Sequence, residues 1–240
     1  MEKSRPLNRD AIKYLAAAAM LMNHTAHVFM EPGTMLYLVF EYIGYFTAIT
    51  MVYFLVEGYG YTRSRQKYGM RLLAFAVISQ IPYVFAFGMQ QLNMLFTLFI
   101  CFLILYVQET MRNIRIRRIL TALLVFTTVF CDWPLFAAVF TLLFMWSRSD
   151  GYWDRRKMAM SYGVSALMFA FFNYNSYLPV CQALIRAALS SVGIVLSGIV
   201  IMNFYNGRRG KRGRTFSKWF FYVFYPAHII ILILVRDLVG

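Results

Sequence analysis

The strongest constraint on this 240-residue chain is a recurrence of apolar runs from Ala11 to Val239, separated by short basic or turn-forming segments. A helix satisfies its own backbone hydrogen bonds, so such runs are stable in lipid, where an irregular segment is not. The pattern predicts an all-α fold, a polytopic integral membrane helical bundle. The 60% hydrophobic content agrees, because soluble domains lie nearer ~45–50% apolar. The first run is not read as a cleavable signal peptide, since further spans follow it and no small-residue cleavage site precedes the next.

Basic residues orient the bundle. Lys3, Arg5, Arg9 and Lys13 precede the first run and put the N-terminus in the cytoplasm. Spans are expected at about Ala11–Met30, Met35–Val56, Leu72–Phe87 and Leu92–Gln108, then at Met158–Phe172, Leu184–Phe204 and Lys218–Val235. The stretch Ile119–Trp146 breaks at Cys131-Asp132-Trp133-Pro134. Each half has only ~12–14 residues, short of the ~20 that cross a bilayer. We expect an out-and-back pair, short or re-entrant, with Asp132 at its outer tip. The count is about nine transmembrane helices in one domain, residues 1–240, with every strongly basic loop on one side. In the eighth span Ser190, Gly193 and Ser197 form a small-residue face for close helix contact.

The net charge of +14 is explained by these loops, so no nucleic acid partner is expected; the lipid bilayer is the partner. The three cysteines form no disulfide framework. Cys101 lies in a span. Cys131 and Cys181 fall near one face, which leaves a disulfide or free thiols open.

Polar and ionisable residues inside spans are costly and are candidates for function. Asn23 and His24 interrupt the first run, with His27 a turn further on. The third histidine, His228, lies in the last run after Tyr225-Pro226. His24 is eleven residues past Lys13, and His228 is eleven past Ser217. At ~1.5 Å per residue both rings lie ~16 Å from the cytoplasmic side, at the common depth that a shared site requires. Histidine suits proton transfer near neutral pH. His24 and His27 have i, i+3 spacing, but no carboxylate or third ligand stands beside them, so no metal is expected. Glu57 ends the second span near Arg63. It reads either as a helix-end carboxylate paired with an arginine or as an anchor that turns arginines towards an anion. The segment Asn206 to Arg214 alternates glycine with guanidinium groups, so Asn206, Arg208, Arg209 and Lys211 could wrap a phosphate. An orientation signal is the plainer reading of the same charges.

Several short motifs fall in a specific order: Met22-Asn23-His24, Phe54-Leu55-Val56-Glu57-Gly58-Tyr59, Thr62-Arg63, Lys67-Tyr68 and Arg71-Leu72-Leu73. They continue with Ile78-Ser79-Gln80-Ile81-Pro82, Leu92-Asn93, Leu95-Phe96-Thr97-Leu98, Tyr205-Asn206-Gly207, Arg209-Gly210, Phe221-Tyr222, Tyr225-Pro226 and His228. In this order they resemble the TraX family of membrane proteins, named for a pilin N-acetylase, nearly end to end. The resemblance implies a multi-pass enzyme of the bacterial cytoplasmic (inner) membrane. It would take acetyl from cytoplasmic acetyl-CoA, or another acyl-CoA, and deliver it to an extracytoplasmic amine or hydroxyl acceptor. Related acyltransferases place a basic residue and a histidine eleven apart in the first span, the spacing of Lys13 and His24. The family often has Asp before that histidine, and this chain has Asn23. An amide can orient an imidazole but cannot stabilise its charged form.

The reading is therefore a transmembrane acetyltransferase. His24 serves as general base or acyl carrier, and Asn23, Asn93 or His228 orients it or stabilises the oxyanion. Glu57, Arg63, Arg71, Asn206, Arg208, Arg209 and Lys211 are the candidates for holding acetyl-CoA. A small-anion transporter using the same histidines as a proton relay is the alternative, although no internal repeat supports it.

Overall fold

A computed structural model describes residues 5–88, 91–149, 151–210 and 214–239. Among them are ten α-helices: α1 (Arg9–Phe29), α2 (Met35–Tyr61), α3 (Arg65–Phe87), α4 (Met94–Thr110), α5 (Ile114–Thr127), α6 (Phe136–Trp146), α7 (Arg155–Phe172), α8 (Val180–Ser190), α9 (Val192–Ile199) and α10 (Arg214–Val239). A two-stranded hairpin, β1 (Arg148–Ser149) with β2 (Tyr152–Trp153), joins α6 to α7. The expected helical bundle is therefore present, nearly all-α, but about nine crossings are not supported among the described residues. By length and composition four helices can cross a membrane: Met35–Tyr61, Arg65–Phe87, Val180–Phe204 and Trp219–Val239. The rest fall short for identifiable reasons. α4 and α6 are apolar but brief. In α1, Lys13, Asn23, His24, Thr25 and His27 dilute an otherwise apolar helix.

Helix α2 is the central element and packs against α1, α4, α6 and α9. Its contact with α9 depends on small residues. A Cβ at Gly193 would collide with the backbone of α2 at Tyr42–Phe46, and Thr50 and Ser197 share a hydrogen bond of 2.8 Å across the seam. α8, α9 and a π turn over Val200–Phe204 continue one another along Val180–Phe204.

The chain ends of α1, α2, α3, α4, α7 and α9 that carry most of the arginines meet at one pole. Leu7 and Tyr205 pair as adjacent parallel strands would, through Leu7 N–H to Phe204 O (3.0 Å) and Asn206 N–H to Leu7 O (2.9 Å). Arg65 donates to Glu109 at 2.8 Å, and Arg155 to Asn203 at 3.0 Å.

The pair α5–α6 is short, 14 and 11 residues. Its connecting turn does not stand free as an outer tip. Asp132 N–H donates to Leu92 O at 2.7 Å, and Thr97 Oγ1 donates to Asp132 O at 2.6 Å, so the turn is tied to the start of α4. Trp133 (φ 58°) and Leu135 (φ 62°) occupy the left-handed region, a strained choice for large side chains. Trp133 is held there by stacking on Phe169, with ring centroids 5.2 Å apart. The start of α4 is itself internal, level with Gln80 two turns before the end of α3. Gln80 accepts from Asn93 N–H at 2.9 Å and donates to Gln91 O at 2.9 Å. All three cysteines are unpaired.

Candidate functional site

A cavity of about 580 Å³ enters the bundle at the arginine-rich pole between α1, α2, α3, α4 and α10. That is within the ~300–1,000 Å³ typical of small-molecule and cofactor sites. Its charged lining is Arg9, Asp10, Lys13, Arg63, Arg71 and Arg209, five cations to one carboxylate. Deeper in, the wall is Met20, Ala48, Met51, Leu55, Leu72, Leu95, Leu98 and Phe221, ending at Met94 and Tyr225. The gradient follows from helix phase. Lys13, Met20 and His24 share one face of α1, and Phe221, Tyr225 and His228 share one face of α10, by i, i+4, i+7 spacing.

Among the described residues, four of the five cations on this wall, Lys13, Arg63, Arg71 and Arg209, form no ion pair with a carboxylate. Lys13 Nζ lies over the rings of Phe54 (5.6 Å) and Phe221 (5.2 Å), an aromatic cradle for an ammonium. Arg71 stands by the Tyr222 hydroxyl and the Tyr68 ring, and its Nε is buried without a hydrogen-bond partner. A buried donor without an acceptor is costly unless a ligand supplies one.

Glu57 pairs with Arg9 at the start of α1 and not with an arginine of the loop after α2. Its carboxylate is buried (2% exposed) and meets Arg9 Nη2 at 2.7 Å. The Tyr205 hydroxyl donates to it at 2.9 Å, and Arg9 Nε donates to that hydroxyl at 3.4 Å. Glu57 is absent from the cavity wall and acts on it by holding Arg9 at the rim.

The glycine-arginine segment also departs from the expected phosphate wrap. Its amides are engaged within the protein. Arg208 N–H donates to Asn206 Oδ1 (2.9 Å), Gly210 N–H to Asp10 Oδ2 (3.1 Å), and Arg9 N–H to Arg208 O (2.8 Å). A Cβ at Gly210 would strike the Asp10 carboxylate, so the loop needs glycine to close on α1. Asn206 is a turn former here. Arg209 lines the cavity, Arg208 does not, and Lys211 lies outside the described residues.

His24 and His228 do meet. His24 Nδ1 and His228 Nε2 are 2.7 Å apart, and the rings are nearly coplanar at 8°. His228 Nδ1 faces Phe224 O at 2.7 Å. A carbonyl only accepts, so His228 Nδ1 carries a hydrogen. With both rings neutral, His228 Nε2 then accepts from His24 Nδ1–H. The remaining nitrogen, His24 Nε2, is left with a free lone pair. Neither histidine is on the cavity wall. His24 is one turn beyond Met20, and His228 is three residues beyond Tyr225, so Met20 and Tyr225 separate the cavity from the pair. On the far side Phe87 closes on His24, with ring centroids 4.9 Å apart. His27 turns to Tyr37 of α2, sharing a hydrogen bond of 2.9 Å, and does not join His24 as a metal pair would.

The two asparagines serve the framework. Asn23 packs on Gly44 and donates weakly to Glu41 O at 3.4 Å, so the imidazole is oriented by His228 instead. Asn93 caps α4 through Leu95 N–H (2.9 Å), and its amide donates to Ala76 O (2.8 Å) and Gln80 Oε1 (2.9 Å). Every polar group of that side chain is engaged, so it cannot itself bind an oxyanion. Sequence reasoning overlooked Arg9, Tyr68, Tyr222 and Tyr225. The i, i+4 relation of Arg9 to Lys13 and the shared face of Tyr225 and His228 were the available signals.

A family model described as TraX protein matches residues 8–236. The chain is 29% identical over 244 residues to a protein described as probable fimbrial assembly protein FimC, serogroup H1, from Dichelobacter nodosus, covering 97% of each chain. No solved structure matches.

Proposed function

Since this chain belongs to the TraX family, we propose that it is a membrane acetyltransferase whose basic cavity takes acetyl-CoA. The carrying observation is the cavity itself: cationic at the pole, apolar inside, and ending one helical turn from a hydrogen-bonded histidine pair. That order matches acetyl-CoA read from its phosphates along the pantetheine arm to the thioester. Lys13, Arg63, Arg71 and Arg209 bind phosphate oxygens, with Arg9 held ready by Glu57. The arm runs along Met51, Leu55 and Leu98 towards Tyr225. The positive-inside rule sets the arginine-rich pole, and the N-terminus with it, in the cytoplasm of a bacterial inner membrane. The acceptor amine or hydroxyl then arrives from the opposite pole, past Phe87. The family's namesake activity and the relative's fimbrial assembly name make pilin subunits the first acceptors to examine.

His24 Nε2 is the base in this reading. It takes the acceptor's proton as the acceptor attacks the thioester carbonyl carbon, and returns it to the departing CoA thiolate. His228 is the positioning residue that fixes the tautomer. Purified protein in detergent is expected to be stabilised against heat by acetyl-CoA and to form acetohydroxamate from acetyl-CoA and hydroxylamine. His24→Ala should keep the stabilisation and lose on the order of 10²–10⁴-fold in rate, the usual contribution of a general base. No stabilisation of the wild type by acetyl-CoA, or full activity in His24→Ala, would remove this assignment.

A further inference from the structure

We propose that Tyr225 is the catalytic hydrogen-bond donor that stabilises the oxyanion of acetyl transfer. This rests on the acetyl-CoA reading and deepens it. Tyr225 is 3% exposed and stands where the cavity ends and the histidine pair begins. Its ring meets His24 edge-on with centroids 6.2 Å apart, and His228 at 5.8 Å. Its hydroxyl oxygen accepts a long, weak hydrogen bond from Met94 N–H at 3.4 Å. Among the described residues no hydrogen bond donated by this hydroxyl is found. A phenol this deeply buried normally has an acceptor, so one is missing at the place where the thioester would arrive.

Met94 is the first residue of α4, a 17-residue helix capped by Asn93. The helix N-terminus carries partial positive charge, and Met94 N–H directs part of it at the phenol oxygen. Donation into an O–H group polarises it and makes it a better donor in turn. Asn93 thereby acts as a positioning residue through the α4 cap, and the turn at Asp132 fixes the same helix start through Leu92 and Thr97. A hydroxyl held by a helix terminus at the end of the cavity, with the Asp132 carboxylate also acting on it, is a preorganised donor.

The acceptor lone pair bonds to the thioester carbon, and the C=O π pair moves onto oxygen, where Tyr225 O–H donates to it. The pair returns, the C–S bond breaks, and CoA leaves as thiolate. The thiolate collects the proton that His24 removed from the acceptor.

Tyr225→Phe keeps the ring and deletes only the hydroxyl. With acetyl-CoA and hydroxylamine as probes, kcat should fall about 10²–10³-fold, the usual loss for one oxyanion donor. KM for acetyl-CoA and the shift in melting temperature that it produces should stay as in wild type. A purely packing role would move KM and stability together with kcat. An unchanged kcat with active wild type overturns the role of Tyr225 and leaves the acetyltransferase reading intact. A wild type that neither binds acetyl-CoA nor forms acetohydroxamate overturns both.

Discussion

At the scale of single residues, the best-determined polar group is Glu57 with Arg9 and Tyr205. A buried carboxylate and guanidinium stabilise a fold only weakly against an apolar alternative, but deleting one partner leaves the other charge stranded. Glu57→Ala should therefore cost about 3–5 kcal/mol, read as denaturant unfolding in detergent. Tyr205→Phe removes the hydroxyl's donation to Glu57 and the acceptor of Arg9 Nε, and should cost about 1.5–3 kcal/mol. If Glu57→Ala cost no more than Tyr205→Phe, Arg9 would have found another partner, and the rim of the cavity would differ from the one described. Sequence placed Glu57 at the end of α2 and suggested an arginine beside it. It could not choose Arg9 over Arg63, because the choice depends on how the start of α1 and the segment after α9 close around that helix end. The equal depth of His24 and His228 was countable from charge positions, whereas their shared hydrogen bond depends on side-chain rotation. The same limit applies to Asn23 and Asn93. Both stood out as costly amides, and only the fold reveals that one faces Gly44 and the other caps α4.

Among the elements, apolar periodicity located the helices well. Their crossing number was misjudged because a run of hydrophobic residues does not reveal where a helix starts inside the bundle. α4 begins level with Gln80, and the α5–α6 turn folds in to meet it. The small-residue face of the eighth expected span was legible, since Gly, Ser and Thr permit close approach whatever the partner. The partner, α2, was not. Gly193 leaves no room for a Cβ beside the backbone at Tyr42–Phe46. Gly193→Ala should destabilise by about 1–3 kcal/mol through overpacking. Gly163, which has open space around its Cβ position, should accept alanine without such a loss. Equal melting behaviour of the two variants would mean that α9 can move off α2 freely.

For the whole molecule, charge is distributed as a gradient, cationic at the pole and apolar at the inner end of the cavity. Five cations and one carboxylate line the cavity, and an anionic ligand there should respond to salt. Exposed and half-buried cations should respond differently. Arg63 is exposed at the rim, where an ion pair contributes about 0–1 kcal/mol, so Arg63→Ala should weaken acetyl-CoA binding by less than about sixfold. Lys13 lies half-buried between Phe54 and Phe221, less open to solvent screening than Arg63. A hydrogen bond from such a charge is worth about 1.5–3 kcal/mol, so Lys13→Met should weaken binding about 10- to 100-fold. Titration at rising ionic strength separates the contributions further. The arginine rim is screened over about 8–10 Å at ~0.1–0.15 M salt, and the half-buried lysine less. Acetyl-pantetheine lacks the nucleotide phosphates. It should bind more weakly than acetyl-CoA, with an affinity that salt and Arg63→Ala leave almost unchanged. If acetyl-pantetheine and acetyl-CoA bound equally, and with the same salt dependence, the cationic pole would be serving membrane orientation alone and the ligand would be recognised by the apolar wall.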